Sequence, residues 1–68
     1  MSGLSLGVLR VGKRYRIINF GDIYEVELEQ ILPREDFLVK DIHTLERFHL
    51  REIFQYGKGK DFEIRELE

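Results

Sequence analysis

Six consecutive residues, Tyr24-Glu25-Val26-Glu27-Leu28-Glu29, alternate strictly between apolar and acidic side chains. A period of two marks a strand with one buried face. Upstream, Arg14-Tyr15-Arg16-Ile17 alternates in the same way, with basic residues at the polar positions. Charge is segregated accordingly. Residues 1–20 carry Arg10, Lys13, Arg14 and Arg16 and no acid, whereas residues 21–30 carry Asp22, Glu25, Glu27 and Glu29 and no base. Two antiparallel strands side by side account for both blocks. Gly21-Asp22 is expected at the tip, because glycine at the first central position suits a type II′ turn. Phe20 then faces Ile23, Ile17 faces Val26 and Tyr15 faces Leu28, while Arg16 faces Glu27 and Arg14 faces Glu29. A slip of one residue sets Ile17 against a glutamate, so apolar pattern and charge agree. Each exposed Arg–Glu pair contributes only tenths of a kcal/mol to about 1 kcal/mol, and its use is in register.

The alternation breaks at Gln30-Ile31-Leu32, as in a long strand that bends and changes face. Pro33-Arg34-Glu35-Asp36 reads as a turn, with proline's fixed φ at its second position. Residues 37–42 form a third strand, apolar on both faces at its start and hence central. His43-Thr44 turns the chain into a fourth strand over 45–49. Two registers are open for this third hairpin. Pairing Val39 with Phe48 also sets Lys40 on Arg47 and Asp41 on Glu46; a slip relieves that repulsion but buries less. Leu50, Ile53 and Phe54 stand at i, i+3 and i+4 ahead of Gly57, which predicts a short helical turn over 51–56 ending at a glycine cap. The rival is one helix over 44–56 capped by Thr44. Its apolar positions spread over about two-thirds of the circumference with Glu46 and Glu52 among them, a poor amphipathic face. Asp61-Phe62-Glu63-Ile64-Arg65 alternates again as a closing strand.

Five short strands with tight connections and a helical turn before the last strand resemble the SH3-like or Tudor-like small barrel in element order, over residues 13–65. The resemblance implies an all-β fold: a five-stranded small SH3-like barrel with one short helical turn before the last strand. Residues 13–68 form that single domain. The glycine-dotted segment 1–12 is flexible or partly ordered ahead of it, with residues 6–11 joining a sheet edge. The chain lacks the acidic, aromatic-rich first loop and the Pro-Ser-Asn-Tyr-like helical turn of peptide-binding SH3 domains, so proline-rich ligands are not implied. Tudor-like barrels place aromatic ligand cages at the ends of the first and third hairpins. Carried over, that points to Phe20, Tyr24 and His43, with Asp22 as the charge for a cationic guest.

Composition narrows function mainly by exclusion. With 11 Lys+Arg against 13 Asp+Glu, the net charge of −2 exerts no global pull toward nucleic acid or anionic lipid. No cysteine is present, which excludes a disulfide framework or a Cys-ligated metal and fits a reducing, cytoplasmic setting. The opening apolar run is interrupted by Arg10 and is far short of the ~20 residues that span a bilayer. Hydroxyl nucleophiles are limited to Ser2, Ser5 and Thr44, with no base at suggestive spacing, so the chain is not expected to be an enzyme. His43 and His49, with Asp41, offer three metal ligands without a fourth; they read as a turn histidine and a solvent-side histidine, and neither metal nor cofactor is expected. Gly57-Lys58-Gly59-Lys60 fails the spacing of a phosphate loop and has Asp61 where a Ser or Thr is needed.

The apolar residues left over by the hairpin carry the functional expectation. Ile18, Phe20 and Ile23 point away from the face of Tyr15, Ile17, Tyr24, Val26 and Leu28, beside the hairpin tip. Such a patch, with Tyr24, suits a non-catalytic binding module for a protein or peptide, or self-association of the chain. The alternative is weak, sequence-independent nucleic-acid binding by a rim of Lys13, Arg14, Arg16, Lys58 and Lys60, with Tyr56 as a stacking face.

Overall fold

The hairpin that the alternation demands lies at the centre of the sheet. In the computed structural model, which describes residues 4–67, β1 (Arg14–Asn19) pairs antiparallel with β2 (Asp22–Leu32). Beyond β2 follow β3 (Asp36–Asp41) and β4 (Arg47–His49), and β5 (Glu63–Glu66) pairs with the other side of β1. The result is a five-stranded antiparallel sheet of order β4-β3-β2-β1-β5. It is open: β4 and β5 are its edges, and the closure that a barrel requires is not among its pairings. Two 3-10 turns, Leu6–Val8 and Leu50–Phe54, complete the structure. No helix among the described residues is long and apolar enough to cross a membrane.

The strands keep the expected faces in a different register. Tyr15 faces Val26, Ile17 faces Tyr24, Arg16 faces Glu25 and Arg14 faces Glu27, two residues from the predicted Ile17–Val26 and Arg16–Glu27 pairs. A shift of two leaves every side chain on its own face, so alternation excludes only the odd slips. The turn decides between the even ones. Its tip is Phe20-Gly21, flanked by the Asn19–Asp22 pair, rather than Gly21-Asp22. Both tip residues have positive φ, 51° and 79°, as a type I′ turn requires. For phenylalanine that conformation costs roughly 1–2 kcal/mol. The Asp61 carboxylate offsets it by accepting hydrogen bonds from the amides of Phe20 (2.9 Å) and Gly21 (2.7 Å).

The rest of the sheet follows from local chemistry. The β2–β3 register shifts between Leu28 and Gln30, so the bulge falls where the alternation breaks. β3 and β4 take the register of Val39 with Phe48 and Lys40 with Arg47. Their like charges are reconciled by Glu29 of β2, which lies 3.8 Å from the Lys40 ammonium and accepts hydrogen bonds from Arg47. β4 is shorter than predicted, and the helix capped by Thr44 does not form. Asp41 Oδ1 instead accepts the amides of His43 and Thr44, closing a side-chain-mediated turn in which Leu45 has φ 66°.

One face of the sheet is a charge ladder. Arg14 meets Glu27 at 3.6 Å and Arg16 meets Glu25 at 2.9 Å, while Glu29 serves Lys40 and Arg47. The other face buries Tyr15, Ile17, Val26, Leu28, Val39 and Ile64 under Leu50 and Ile53 of the second 3-10 turn. The amino-terminal segment, described from Leu4, contributes too. The Leu4 amide donates to the Ile64 carbonyl at the β5 edge (2.8 Å), Leu6–Val8 turns rather than adding a strand, and Leu9 enters the core.

One inward position of β1 is polar. Asn19 is 2% exposed, and its side chain donates to the carbonyls of Ile53 (3.0 Å) and Gly57 (3.1 Å) and accepts from the Gly59 amide (2.7 Å). Removing it strands these groups in a poorly hydrated setting. Asn19→Ala is expected to lower unfolding free energy by about 2–4 kcal/mol, against about 1 kcal/mol for Asp61→Ala, whose partner amides can turn to water. Urea titration of the two variants measures both.

Candidate functional site

The first hairpin tip is tied to distant parts of the chain by side-chain hydrogen bonds. Asn19 ties its base to the end of the second 3-10 turn and to the Gly57-Lys58-Gly59-Lys60 loop, and Asp61 ties its apex to the start of the last strand's approach. The Phe20 ring lies against Gly59, where a Cβ would come within 2.9 Å of the ring edge and of an Asp61 carboxylate oxygen. Gly59 is therefore needed for close approach of the ring, a packing role rather than a phosphate-cradling one. In spite of this clamp, Phe20 remains 56% exposed, Ile23 64% and Tyr56 83%.

Between the tip and the second 3-10 turn lies a cavity of about 420 Å³. Its aromatic lining is Phe20, Tyr24 and Tyr56, and its carboxylates are Asp22 and Glu52. Partial burial raises the pKa of the Tyr24 hydroxyl, and the Asp22 carboxylate beside it raises it further, so the phenol stays protonated across the physiological range. Tyr24 also packs on Phe48 in a tilted arrangement, with ring centroids 6.3 Å apart.

The six residues expected to bind a partner divide over two faces. Phe20, Asp22 and Tyr24 share the cavity just described. Ile18 and Ile23 are cross-strand partners on the outward face. His43 also lies on that side, its Nε2 2.6 Å from Glu25 Oε1, in a shallow depression with Ile23, Arg16 and Asp41. Phe20, Tyr24 and His43 thus do not converge, and Tyr56 supplies the third ring beside Phe20 and Tyr24. Glu52, Tyr56, Asn19 and Asp61 are absent from the expected partner site. A readable signal existed for Asn19: it continues the inward series of Tyr15 and Ile17, where a polar side chain must find buried partners.

The cations of the alternative reading are mostly engaged. Lys13 lies 4.0 Å from Glu66, Arg14 pairs with Glu27 and Arg16 with Glu25. Lys58 sits over the rings of Phe62 (4.9 Å) and Phe54 (5.8 Å), while Lys60 and Tyr56 are exposed. The two histidines take separate carboxylates, His43 that of Glu25 and His49 that of Asp36, with Nδ1 2.8 Å from Oδ2. Among the described residues no group of three or more potential ligands could hold a metal ion. No family model, curated protein or solved structure matches the chain.

The carboxyl groups of Asp36, Glu25, Glu29 and Asp41 sit below their ordinary pKa values. Burial works to raise Asp36, but hydrogen bonds from His49 and from the Phe37 and Arg51 amides outweigh it. Glu25 is lowered by its hydrogen bonds from His43 and Arg16, Glu29 by Arg47, and Asp41 by the amides of His43 and Thr44. A carboxylate with a depressed folded-state pKa binds fewer protons folded than unfolded. Its contribution is complete above the unfolded value and is lost as pH falls through the folded one. Stability is therefore expected to hold from neutral pH to about 5 and to decline progressively below about 4. Urea midpoints between pH 7 and pH 3 test this, and Asp36→Asn should flatten part of the acid limb.

Proposed function

We propose that this domain is a non-catalytic binding module, related in architecture to SH3-like small barrels, that receives a protein, a peptide or a second copy of itself at the first hairpin. The architectural part is supported by the strand order, with β5 beside β1 and a 3-10 turn before β5. The non-catalytic part is supported by composition, which offers no cysteine and few hydroxyl nucleophiles. A chain without cysteine also suits a reducing compartment.

The observation that carries the reading is exposure combined with anchoring of the tip by side-chain hydrogen bonds. Phe20 and Tyr56 keep more than half of their surface open, on either side of one cavity. Meanwhile the tip is immobilised by three hydrogen bonds of Asn19 and two of Asp61. Large apolar side chains held on a preorganised scaffold lose little conformational freedom on docking, which is where binding surfaces gain affinity. Aromatic residues are also the commonest hot spots of interfaces.

The double variant Phe20→Ser with Tyr56→Ser tests this. It should retain the wild-type fold, as read by circular dichroism, and lose at least about tenfold in capture of a partner from the native source, at ~1 kcal/mol or more for each ring. Sedimentation equilibrium of both proteins identifies the case in which the partner is a second copy. Equal capture and equal oligomeric state for wild type and variant defeat the reading.

A further inference from the structure

A cavity of about 330 Å³ lies between the amino-terminal segment, the turn that joins β2 to β3 and the approach to β5. It shares no lining residue with the cavity at the first hairpin. Leu4, Leu6, Phe37 and Phe62 give it apolar walls, and Lys58 and Glu35 are the charged groups among its lining. Its size is at the lower end for sites that enclose small molecules, and apolar walls with a few polar groups are the usual make-up of such sites.

Neither charge is neutralised by the chain. Lys58 and Glu35 take part in none of the ion pairs among the described residues. The Lys58 ammonium stands instead over the rings of Phe62 (4.9 Å) and Phe54 (5.8 Å), which pack edge to face. Both charged residues lie next to anchored backbone. Lys58 sits between Gly57, whose carbonyl accepts from the Asn19 side chain, and Gly59, whose amide donates to it. Glu35 and Phe37 flank Asp36, whose carboxylate accepts the amides of Phe37 (2.8 Å) and Arg51 (3.2 Å) and pairs with His49. The remaining wall is fixed where the Leu4 amide donates to the Ile64 carbonyl. A simple carboxylic acid would satisfy Lys58 and meet Glu35 as a like charge, and a simple amine would do the reverse. A molecule with both charges on one end and an apolar body on the other satisfies both groups and removes the body from water.

We propose that this cavity binds a free α-amino acid with a large apolar side chain. Its carboxylate meets Lys58, its ammonium meets Glu35, and its side chain packs on Leu4, Leu6, Phe37 and Phe62. An α-amino acid is the smallest molecule that carries the two charges and an apolar body on a single carbon. Both charged groups of the protein are exposed, so each ion pair is worth only a few-fold in affinity, and the apolar side chain supplies the larger share. Small or polar amino acids are discriminated against on that ground. The site does not depend on the partner surface at the first hairpin, and it adds a small-molecule ligand to the domain.

The test is a titration of the isotope-labelled full chain with L-phenylalanine, followed by amide chemical shifts. The comparison ligands are phenylpropionate, which lacks the ammonium, phenethylamine, which lacks the carboxylate, and L-alanine, which lacks the apolar body. L-phenylalanine is expected to bind with Kd below about 1 mM and to shift the amides of Leu6, Glu35 and Lys58. Phenylpropionate and phenethylamine should each bind about three- to fivefold more weakly, and L-alanine at least about tenfold more weakly. Lys58→Met should weaken L-phenylalanine about three- to fivefold without weakening phenethylamine, and Glu35→Gln should do the same without weakening phenylpropionate. That crossed pattern separates loss of a contacting charge from a general disturbance of the fold, which would weaken every ligand alike. A Kd above about 1 mM, equal affinity for L-phenylalanine and either single-charge analogue, shifts centred on Tyr24 and Tyr56, or an affinity unchanged by both substitutions overturns the proposal.

Discussion

The Asn19 carboxamide stands at an inward position of β1, after Tyr15 and Ile17, and engages three backbone groups 34 to 40 residues further along the chain. Those groups belong to the end of the second 3-10 turn and to a glycine-rich stretch without ladder bonds of its own. A side chain with donor and acceptor on one planar group can satisfy both carbonyls and an amide at once; neither an aliphatic residue nor an aspartate can. With that stretch fixed, Asp61 comes to rest under the hairpin tip, and Phe20 and Gly21 are held in their left-handed conformation. The register of the whole β1–β2 ladder then follows from where the tip lies. Local backbone geometry at residues 20–21 is thus determined by groups distant in sequence.

That dependence explains what could be read in advance and what could not. The faces of β1 and β2, the bulge near Glu29, the turn at Pro33 and the short helical turn ending before Gly57 all follow from patterns within a few residues. The register of the first hairpin does not, because a period-two pattern is unchanged by a shift of two, and the group that selects the tip is Asp61. The β3–β4 register was open for a related reason. Two strands alone place Lys40 against Arg47, and the conflict disappears only when Glu29 of a third strand is included.

The candidate site shows the same division. Phe20, Asp22 and Tyr24 lie near one another in sequence and could be grouped from it. Glu52 arrives on the second 3-10 turn and Tyr56 just after it, and no local pattern specifies how that turn is oriented over the sheet. His43 separates from Tyr24 by parity: it binds Glu25, and neighbouring residues of a strand face opposite sides. Ile23 parts from Tyr24 for the same reason, so the apolar residues near the tip belong to an aromatic cavity on one face and a cross-strand isoleucine pair on the other.

The clamp at the tip also has a kinetic side. The β1–β2–β3 meander is built from near neighbours in sequence, and such contacts close loops at little entropic cost. The strain at Phe20 is present from the moment the hairpin adopts its native turn, whereas the groups that offset it arrive only after the chain has traversed some 40 further residues. Until then a hairpin with its tip one residue later competes on nearly equal terms, with the same faces buried. The native register is therefore expected to be selected late in folding, when residues 57–61 dock and commit the sheet to a single alignment.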